Sequence, residues 1–142
     1  MLNELRVGEL LAALGERTPT PASGAATALT GAFAAALTEL AARFAGDEEA
    51  TVRAKAAVTR FVELADEDGA AYTAFMADRS AENRARIIEI PREIAAWADE
   101  VAALAAGVRS RLTSSVAGDA EAAVELARAA ARVARRLTEL NA

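Results

Sequence analysis

The chain has 142 residues, no cysteine and no histidine, and its 16 basic and 21 acidic residues give a formal net charge of −5. The length fits one domain, and the composition excludes thiolate nucleophiles, disulfides, the common zinc sites and histidine as a general base. The negative charge disfavours nucleic acid and an anionic membrane as partners. The N-terminus has no uninterrupted apolar run typical of a signal peptide or membrane span, so we expect a cytoplasmic protein.

The apolar residues of this chain are mostly small. Hydrophobic residues make up 54% of the sequence, whereas aromatic residues make up only 4%. Alanine-rich helices form readily and pack closely over a thin core. We therefore expect an all-α fold, a bundle of about five helices with two or three long ones, that occupies residues 1–142 as a single domain. The thin core also favours oligomerisation.

The first predicted helix covers about residues 3–14, and Gly15 stands where a C-cap glycine belongs. The connector that follows contains Pro19 and Pro21, each of which disfavours helical backbone in the residue before it. The sequence therefore predicts a short helix and then a rigid, extended connector.

The second predicted helix begins with Ser23 as its N-cap and ends at Gly46. Its apolar residues fall on two faces, one of large and one of small side chains. They are Leu29, Phe33, Leu37, Leu40 and Phe44 on the first face, and Ala28, Gly31, Ala35, Thr38 and Ala42 on the second. This pattern predicts a central helix of the bundle that is buried on both faces.

Three more helices are predicted, over about residues 48–77, 81–111 and 120–140. Each follows a side chain that is suited to cap it: Asp47, Ser80 and Asp119. The first two of these helices contain roughly 30 residues, which corresponds to about 45 Å each.

A proline lies inside the fourth predicted helix. The apolar stripe keeps its helical spacing on both sides of Pro91, so the helix continues through it. Because proline has no N–H and its ring clashes with the preceding turn, we expect a bend between Ile87 and Pro91 and an Ile87 carbonyl without its helical donor.

Asp68 is the first candidate functional residue. Helical spacing places it on the apolar stripe of the third helix, which consists of Val58, Phe61, Ala65, Tyr72 and Phe75. Burial of an unpaired charge is costly, so an inward carboxylate has a structural partner, faces a polar cavity, or titrates with a raised pKa. The spacing alone leaves a structural and a functional role open.

The second candidate site is the connector at residues 21–25, where small residues lead directly into a helix. Free N–H groups at a helix N-terminus can bind an anion or a carbonyl oxygen. An ordinary capped turn has the same sequence pattern.

Four segments in the same order resemble the formiminotransferase-cyclodeaminase and methenyltetrahydrofolate cyclohydrolase family. The family signature TPxPGGGSxAAL is similar to TPTPASGAATALTGAFAAAL here, and its segment L-x-x-x-D-x-x-A-[FY] is similar to LADEDGAAYTAFM. Its VPLEIA helix is similar to IPREIAAWADEVAALAAG, and its closing helix to GDAEAAVELARAAARVARRLTELN. The resemblance covers nearly the whole chain.

The resemblance implies an all-helical homodimer with a cleft between the glycine-rich turn and the helix that carries the acid. Family members hydrolyse the methenyl bridge of a tetrahydrofolate or expel ammonia from its formimino derivative, and no added cofactor or metal is implied. Asp68 matches the family's acid, and Tyr72 is expected to orient the ring or the acid. The implied substrate-binding residues are Pro21, Ala22, Ser23, Gly24, Ala25 and Asp119.

Three functional hypotheses follow. The first is an enzyme of cyclohydrolase or ammonia-lyase type that acts on a C–N bond of a cyclic amidine or imine, with a tetrahydrofolate derivative as substrate. The second is a relative that cyclises or deaminates a non-folate metabolite in a specialised biosynthetic pathway. The third is a dimeric binding protein without catalytic activity.

Overall fold

The structure is a computed structural model that describes every residue from Met1 to Ala142. A short 3-10 turn, Leu2–Glu4, precedes five α-helices. These are α1 (Val7–Gly15), α2 (Ser23–Ala45), α3 (Glu48–Ala77), α4 (Ala81–Arg109) and α5 (Val116–Asn141). The predicted all-α fold of about five helices is confirmed.

Helix α2 lies at the centre of the bundle and packs against α3, α4 and α5. Helix α4 also packs along α5, and α3 along α4. Helix α1 lies outside this arrangement and has no buried residue. The bundle that positions the site therefore consists of α2 to α5.

Three helix ends agree with their local sequence signals. Gly46 ends α2 in the left-handed region, at φ 68°, which glycine adopts without a steric penalty. The Asp47 carboxylate accepts a hydrogen bond from the Ala50 N–H at 2.9 Å, and the Ser80 hydroxyl accepts one from the Asn83 N–H at 3.2 Å. These side chains cap α3 and α4 as predicted.

The N-terminal helix differs from its prediction. The chain becomes extended at Leu5 and Arg6, so the predicted helix over residues 3–14 is divided into the 3-10 turn and α1. Gly15 is the last residue of α1 and not its C-cap, because the chain continues into extended backbone at Glu16 without a left-handed turn. A cap glycine is needed only where the chain makes that turn.

Two predicted N-caps are also wrong. Ser23 is the first residue of α2, and its hydroxyl caps no backbone N–H. Helix α5 begins at Val116, so Asp119 lies in its first turn and does not cap it. The Ser114 hydroxyl accepts a hydrogen bond from the Val116 N–H at 3.3 Å, so the turn forms before the chain reaches Asp119.

Only one of the two apolar faces of α2 is buried. The face of small residues is entirely buried, and these residues allow close approach of the neighbouring helices. On the face of large residues, Phe33 is 64% exposed, Phe44 is 67% exposed and Leu40 is 39% exposed. The prediction that both faces are buried is therefore wrong for the isolated chain.

Helix α2 is long and apolar enough, by composition alone, to cross a membrane, with a mean hydropathy of 1.4 over its best window. However, 56% of that window is buried inside the bundle. The burial accounts for the apolar composition of α2, since core helices pass the same compositional test.

Helix α4 continues through Pro91 as predicted. The residues of its apolar stripe are buried or half-buried: Ile87, Ile90, Ile94, Trp97, Val101, Leu104 and Val108. The Ile87 carbonyl, which has no helical donor, accepts a hydrogen bond from the Asn141 side-chain amide at 2.8 Å. The freed carbonyl thus joins α4 to the end of α5.

An arginine holds α3 against α4 beside the kink. Arg60 donates from Nε to Glu93 at 2.7 Å and from Nη1 to Glu67 at 2.8 Å. These hydrogen bonds raise the pKa of Arg60 above its usual value, and the Arg60 contact lowers the pKa of Glu93. The Arg60–Glu93 pair joins α3 to α4.

We predict that Gly31→Ala destabilises the fold, because a Cβ at this position would lie 2.5 Å from the Phe61 ring. Crowding of a packed core of this kind typically costs about 1–3 kcal/mol. The matched control is Gly107→Ala, since a Cβ there meets no atom within 4 Å, and this change should stabilise α4 by up to about 1 kcal/mol. Urea unfolding measures the free energy of unfolding of each variant. A Gly31→Ala variant as stable as the wild type contradicts the close packing of Phe61 against residue 31.

Candidate functional site

A cavity of about 230 Å³ opens where the connector and the N-terminus of α2 meet the middle of α3, the proline region of α4 and the end of α5. Four elements that are distant in sequence contribute to its wall. The lining residues are Pro19, Thr20, Ala22, Ser23, Gly24, Asp68, Tyr72, Ile87, Pro91, Leu137 and Asn141.

The structure brings five of the eight predicted site residues together in this cavity. Asp68 and Tyr72 approach from α3, and the connector and α2 contribute Ala22, Ser23 and Gly24. The candidate acid and the candidate backbone donors therefore face the same space.

The other three predicted residues lie elsewhere. Pro21 lines a neighbouring cavity, and Ala25 is fully buried in the core. Asp119 lies in the first turn of α5, roughly 33 Å along the helix from Asn141. A role for Asp119 in the cavity of its own chain is incompatible with this distance.

The Asp68 carboxyl has no structural partner. It forms no ion pair or hydrogen bond within the chain although it is half-buried, and none of the residues that line the cavity is cationic. Burial raises the pKa of Asp68 above its usual value, since desolvation disfavours the charged form. The structural role that the sequence left open, an ion pair or hydrogen bond within the chain, is therefore absent.

Gly24 allows the Asp68 carboxyl to reach this position. A Cβ at residue 24 would overlap both carboxyl oxygens of Asp68. Only glycine leaves room for this contact, which explains why a glycine at this point of the turn is needed.

The first turn of α2 has three free backbone donors. The N–H groups of Ser23, Gly24 and Ala25 have no acceptor in the chain, and no side chain caps the helix. The first satisfied donor is the Ala26 N–H, which bonds to the Ala22 carbonyl at 3.0 Å. A helix N-terminus with free N–H groups attracts an oxygen atom that carries negative charge.

Sequence reasoning did not place Asn141 in the site. The available signal was the carbonyl that Pro91 frees, because a buried carbonyl requires a donor. That signal does not identify the donor, which comes from a residue 54 positions further along the chain.

No group of three or more acidic side chains is arranged to hold a metal ion.

The features above define a helical protein with a carboxyl group in a cavity at the N-terminus of a central helix. A model of the formiminotransferase-cyclodeaminase family matches residues 6–142, and the chain belongs to that family. The fold is similar to the crystal structure of formiminotetrahydrofolate cyclodeaminase from Thermotoga maritima, with a TM-score of 0.85 and 22% sequence identity over 99% of this chain and 80% of that chain. No curated protein matches the sequence.

We predict that Asp68→Asn stabilises the protein at neutral pH. Because the folded-state pKa of Asp68 is raised, the native state binds more protons than the unfolded state between the ordinary pKa of aspartate and the raised value. Stability therefore falls as pH rises through that interval and remains lower above it. The variant should have a higher Tm at pH 7, and the difference should disappear as the pH falls below about 4.

The matched control is Asp78→Asn, which removes an exposed carboxyl from the same chain. The difference in Tm between Asp78→Asn and the wild type should be the same at every pH of the thermal-melt series. A lower Tm for Asp68→Asn at pH 7 than for the wild type contradicts an unpartnered, desolvated carboxyl.

Proposed function

We propose that this protein is an enzyme that breaks or forms a C–N bond of an amidine in a tetrahydrofolate derivative. The reaction is either hydrolysis of a methenyl bridge or closure of that bridge with loss of ammonia. The single observation that carries the proposal is the unpaired Asp68 carboxyl in the cavity at the N-terminus of α2. Membership of the cyclodeaminase family and the likeness to a formiminotetrahydrofolate cyclodeaminase support the choice of substrate class.

The charge of the cavity favours a cationic ligand. Asp68 is the only ionisable carboxyl among the lining residues, and no arginine or lysine lies beside it. Protonated formamidines and methenyl bridges carry a positive charge delocalised over two nitrogens. Such a cation stabilises the carboxylate when it enters a partly desolvated site, because opposite charges attract more strongly there than in water.

Asp68 is suited to move a proton between nitrogens. In ring closure, the attacking secondary amine adds to the formimino carbon, and the Asp68 carboxylate accepts its proton. Asp68 then donates this proton to the amino group of the tetrahedral adduct, and ammonia leaves as the methenyl bridge forms. Burial raises the pKa of Asp68, and a raised pKa favours the protonated form that donates the proton to the leaving nitrogen.

The N-terminus of α2 supplies the second catalytic element. In hydrolysis, water adds to the methenyl carbon and Asp68 accepts one of its protons, which gives a neutral hydroxyl adduct. Asp68 then returns this proton to one ring nitrogen as the C–N bond to that nitrogen breaks. The hydroxyl loses its remaining proton to solvent as it becomes the formyl oxygen, and negative charge develops on this oxygen. The free N–H groups of Ser23 and Gly24 are the donors for this oxygen. Tyr72 lines the same cavity and contacts the ring face in this arrangement.

Asp68→Asn tests the proposal directly. The variant should lower kcat/KM by about 10²–10⁴-fold, the usual contribution of general acid–base catalysis. The assay follows the methenyltetrahydrofolate absorbance in the hydrolytic direction, and its appearance from 5-formiminotetrahydrofolate in the cyclising direction.

The control for this experiment is Asp66→Asn. Asp66 lies two residues earlier on α3, lines the neighbouring cavity and accepts a hydrogen bond from the Leu2 N–H at 3.0 Å. Asparagine can still accept that bond, so activity should stay within about threefold of the wild type.

If the wild type leaves both folates unchanged at high enzyme concentration, the folate activity is excluded. A non-catalytic binding protein would instead bind a folate without turning it over.

We further propose that the protein forms a homodimer through the exposed face of α2 and the adjacent face of α5. Phe33, Leu40 and Phe44 lie on one side of α2, since their spacings of seven and four residues return to the same helical face. Helix α5 carries partly exposed apolar side chains every seven residues, at Leu126 and Val133. A shallow groove between the two helices is lined by Ala26 and Thr30 of α2 and by Val133 of α5, so the α5 row lies beside the N-terminal half of α2.

The double variant Phe33→Glu/Phe44→Glu should be monomeric, because it places charges in a desolvated apolar interface. The matched control is Val7→Glu/Leu11→Glu, which changes two equally exposed apolar residues of α1. The control should remain dimeric. Size-exclusion chromatography with light scattering measures the mass of each, and a wild type that is monomeric at micromolar concentration contradicts the proposed dimer.

A further inference from the structure

One wall of the cavity contains a hydrogen bond between distant parts of the chain. The Asn141 Nδ2 atom at the end of α5 donates to the Ile87 carbonyl of α4 at 2.8 Å. This carbonyl would normally accept from the N–H of residue 91, but Pro91 has none. All three residues line the cavity that contains Asp68.

This bond fixes the orientation of the Asn141 amide. The two ends of a carboxamide have similar shapes, but only the nitrogen donates hydrogen bonds. A backbone carbonyl can only accept, so Nδ2 must face Ile87. The Oδ1 atom then remains for other partners.

The Oδ1 atom of Asn141 is available to a ligand. It has no hydrogen-bond partner within the chain, and Asp66 Oδ2 is the only buried side-chain oxygen or nitrogen that lacks one. Asn141 Oδ1 is therefore accessible, on a residue that lines the cavity. An oriented amide oxygen in this position can accept a hydrogen bond but cannot donate one.

We propose that Asn141 determines ligand specificity by accepting a hydrogen bond from a neutral N–H group of the ligand, such as that of a cyclic amide or a ring amine. Asp68 acts at the C–N bond that reacts, and Asn141 recognises a different edge of the same ring system. The reaction at the C–N bond rests on the proposed function. Recognition of an N–H group does not require turnover, so binding experiments test it separately. In this arrangement Pro91 is a positioning residue, because it leaves the Ile87 carbonyl to Asn141.

A pair of small probes isolates the N–H group. The probe 2-piperidinone carries a lactam N–H, and N-methyl-2-piperidinone has the same ring without it. Titration of ¹⁵N-labelled protein by NMR reports binding at the Asn141 side-chain amide and at the Gly24 backbone. In the wild type, 2-piperidinone should bind about tenfold more tightly than its methylated form, the usual effect of one hydrogen bond in a partly buried site.

Two variants separate recognition from structural support. Asn141→Leu removes the acceptor, so both probes should bind with equal, weak affinity. Pro91→Ala restores an N–H at residue 91 that competes for the Ile87 carbonyl, and it improves the helix instead of disrupting it. This variant keeps Asn141 but should reduce the preference for the N–H probe by about threefold or more, as the amide becomes free to rotate.

The outcomes distinguish this proposal from the proposed function. If Asn141→Leu keeps the preference, or if 2-piperidinone leaves the wild-type Asn141 resonances unchanged up to its solubility limit, the role of Asn141 is refuted. If the wild type lacks folate turnover but shows the probe preference, the folate activity fails and the recognition role stands. If turnover occurs, Asn141→Leu should raise KM by about tenfold and leave kcat within about threefold. A fall in kcat with unchanged KM contradicts the assigned role.

Discussion

The contact between the Asp68 carboxyl and the Cα of Gly24 is the constraint on which the site depends. The carboxyl reaches the first turn of α2 only because residue 24 has no side chain. In that position it loses much of its hydration and gains no cation or hydrogen-bond donor in return, which raises its pKa. An acid that has no structural partner and lies beside free backbone N–H groups is costly to maintain, and the proposed role in proton transfer would account for its presence.

The rest of the bundle holds these two residues in place. Small residues on α2, among them Gly31 beneath the Phe61 ring, let α3 approach closely enough for its carboxyl to meet the turn. Arg60 of α3 pairs with Glu93 of α4. The Asn141 amide completes the cavity wall by donating a hydrogen bond to the Ile87 carbonyl, which has no helical donor because of Pro91. Each of these contacts joins segments that are far apart in sequence.

Features that depend on neighbouring residues were predictable in part, since the N-caps of α3 and α4 were correct but those assigned to Ser23 and Asp119 were not. Features that depend on packing partners were not predictable. The first residues of α3 and α4 follow from single capping side chains. The inward position of Asp68 follows from helical spacing. The exposure of Phe33 could not be predicted, because periodicity identifies an apolar face but not what covers it. Likewise, Pro91 predicted that the Ile87 carbonyl lacks its helical donor, but it did not predict that Asn141 donates a hydrogen bond to that carbonyl. Asp119 was assigned by resemblance of a short segment, and its distance from the cavity becomes evident only in three dimensions.

The most direct measurement of the central claim is a titration of the Asp68 carboxyl itself. Selective ¹³C labelling of aspartate and assignment with Asp68→Asn would give its pKa by NMR. We predict a raised pKa for Asp68 in the free protein, and a fall in that pKa when a cationic amidine ligand binds. A free-protein pKa at or below the usual value would show a solvated or ion-paired carboxyl and would contradict the assignment of Asp68 as the proton-transferring group.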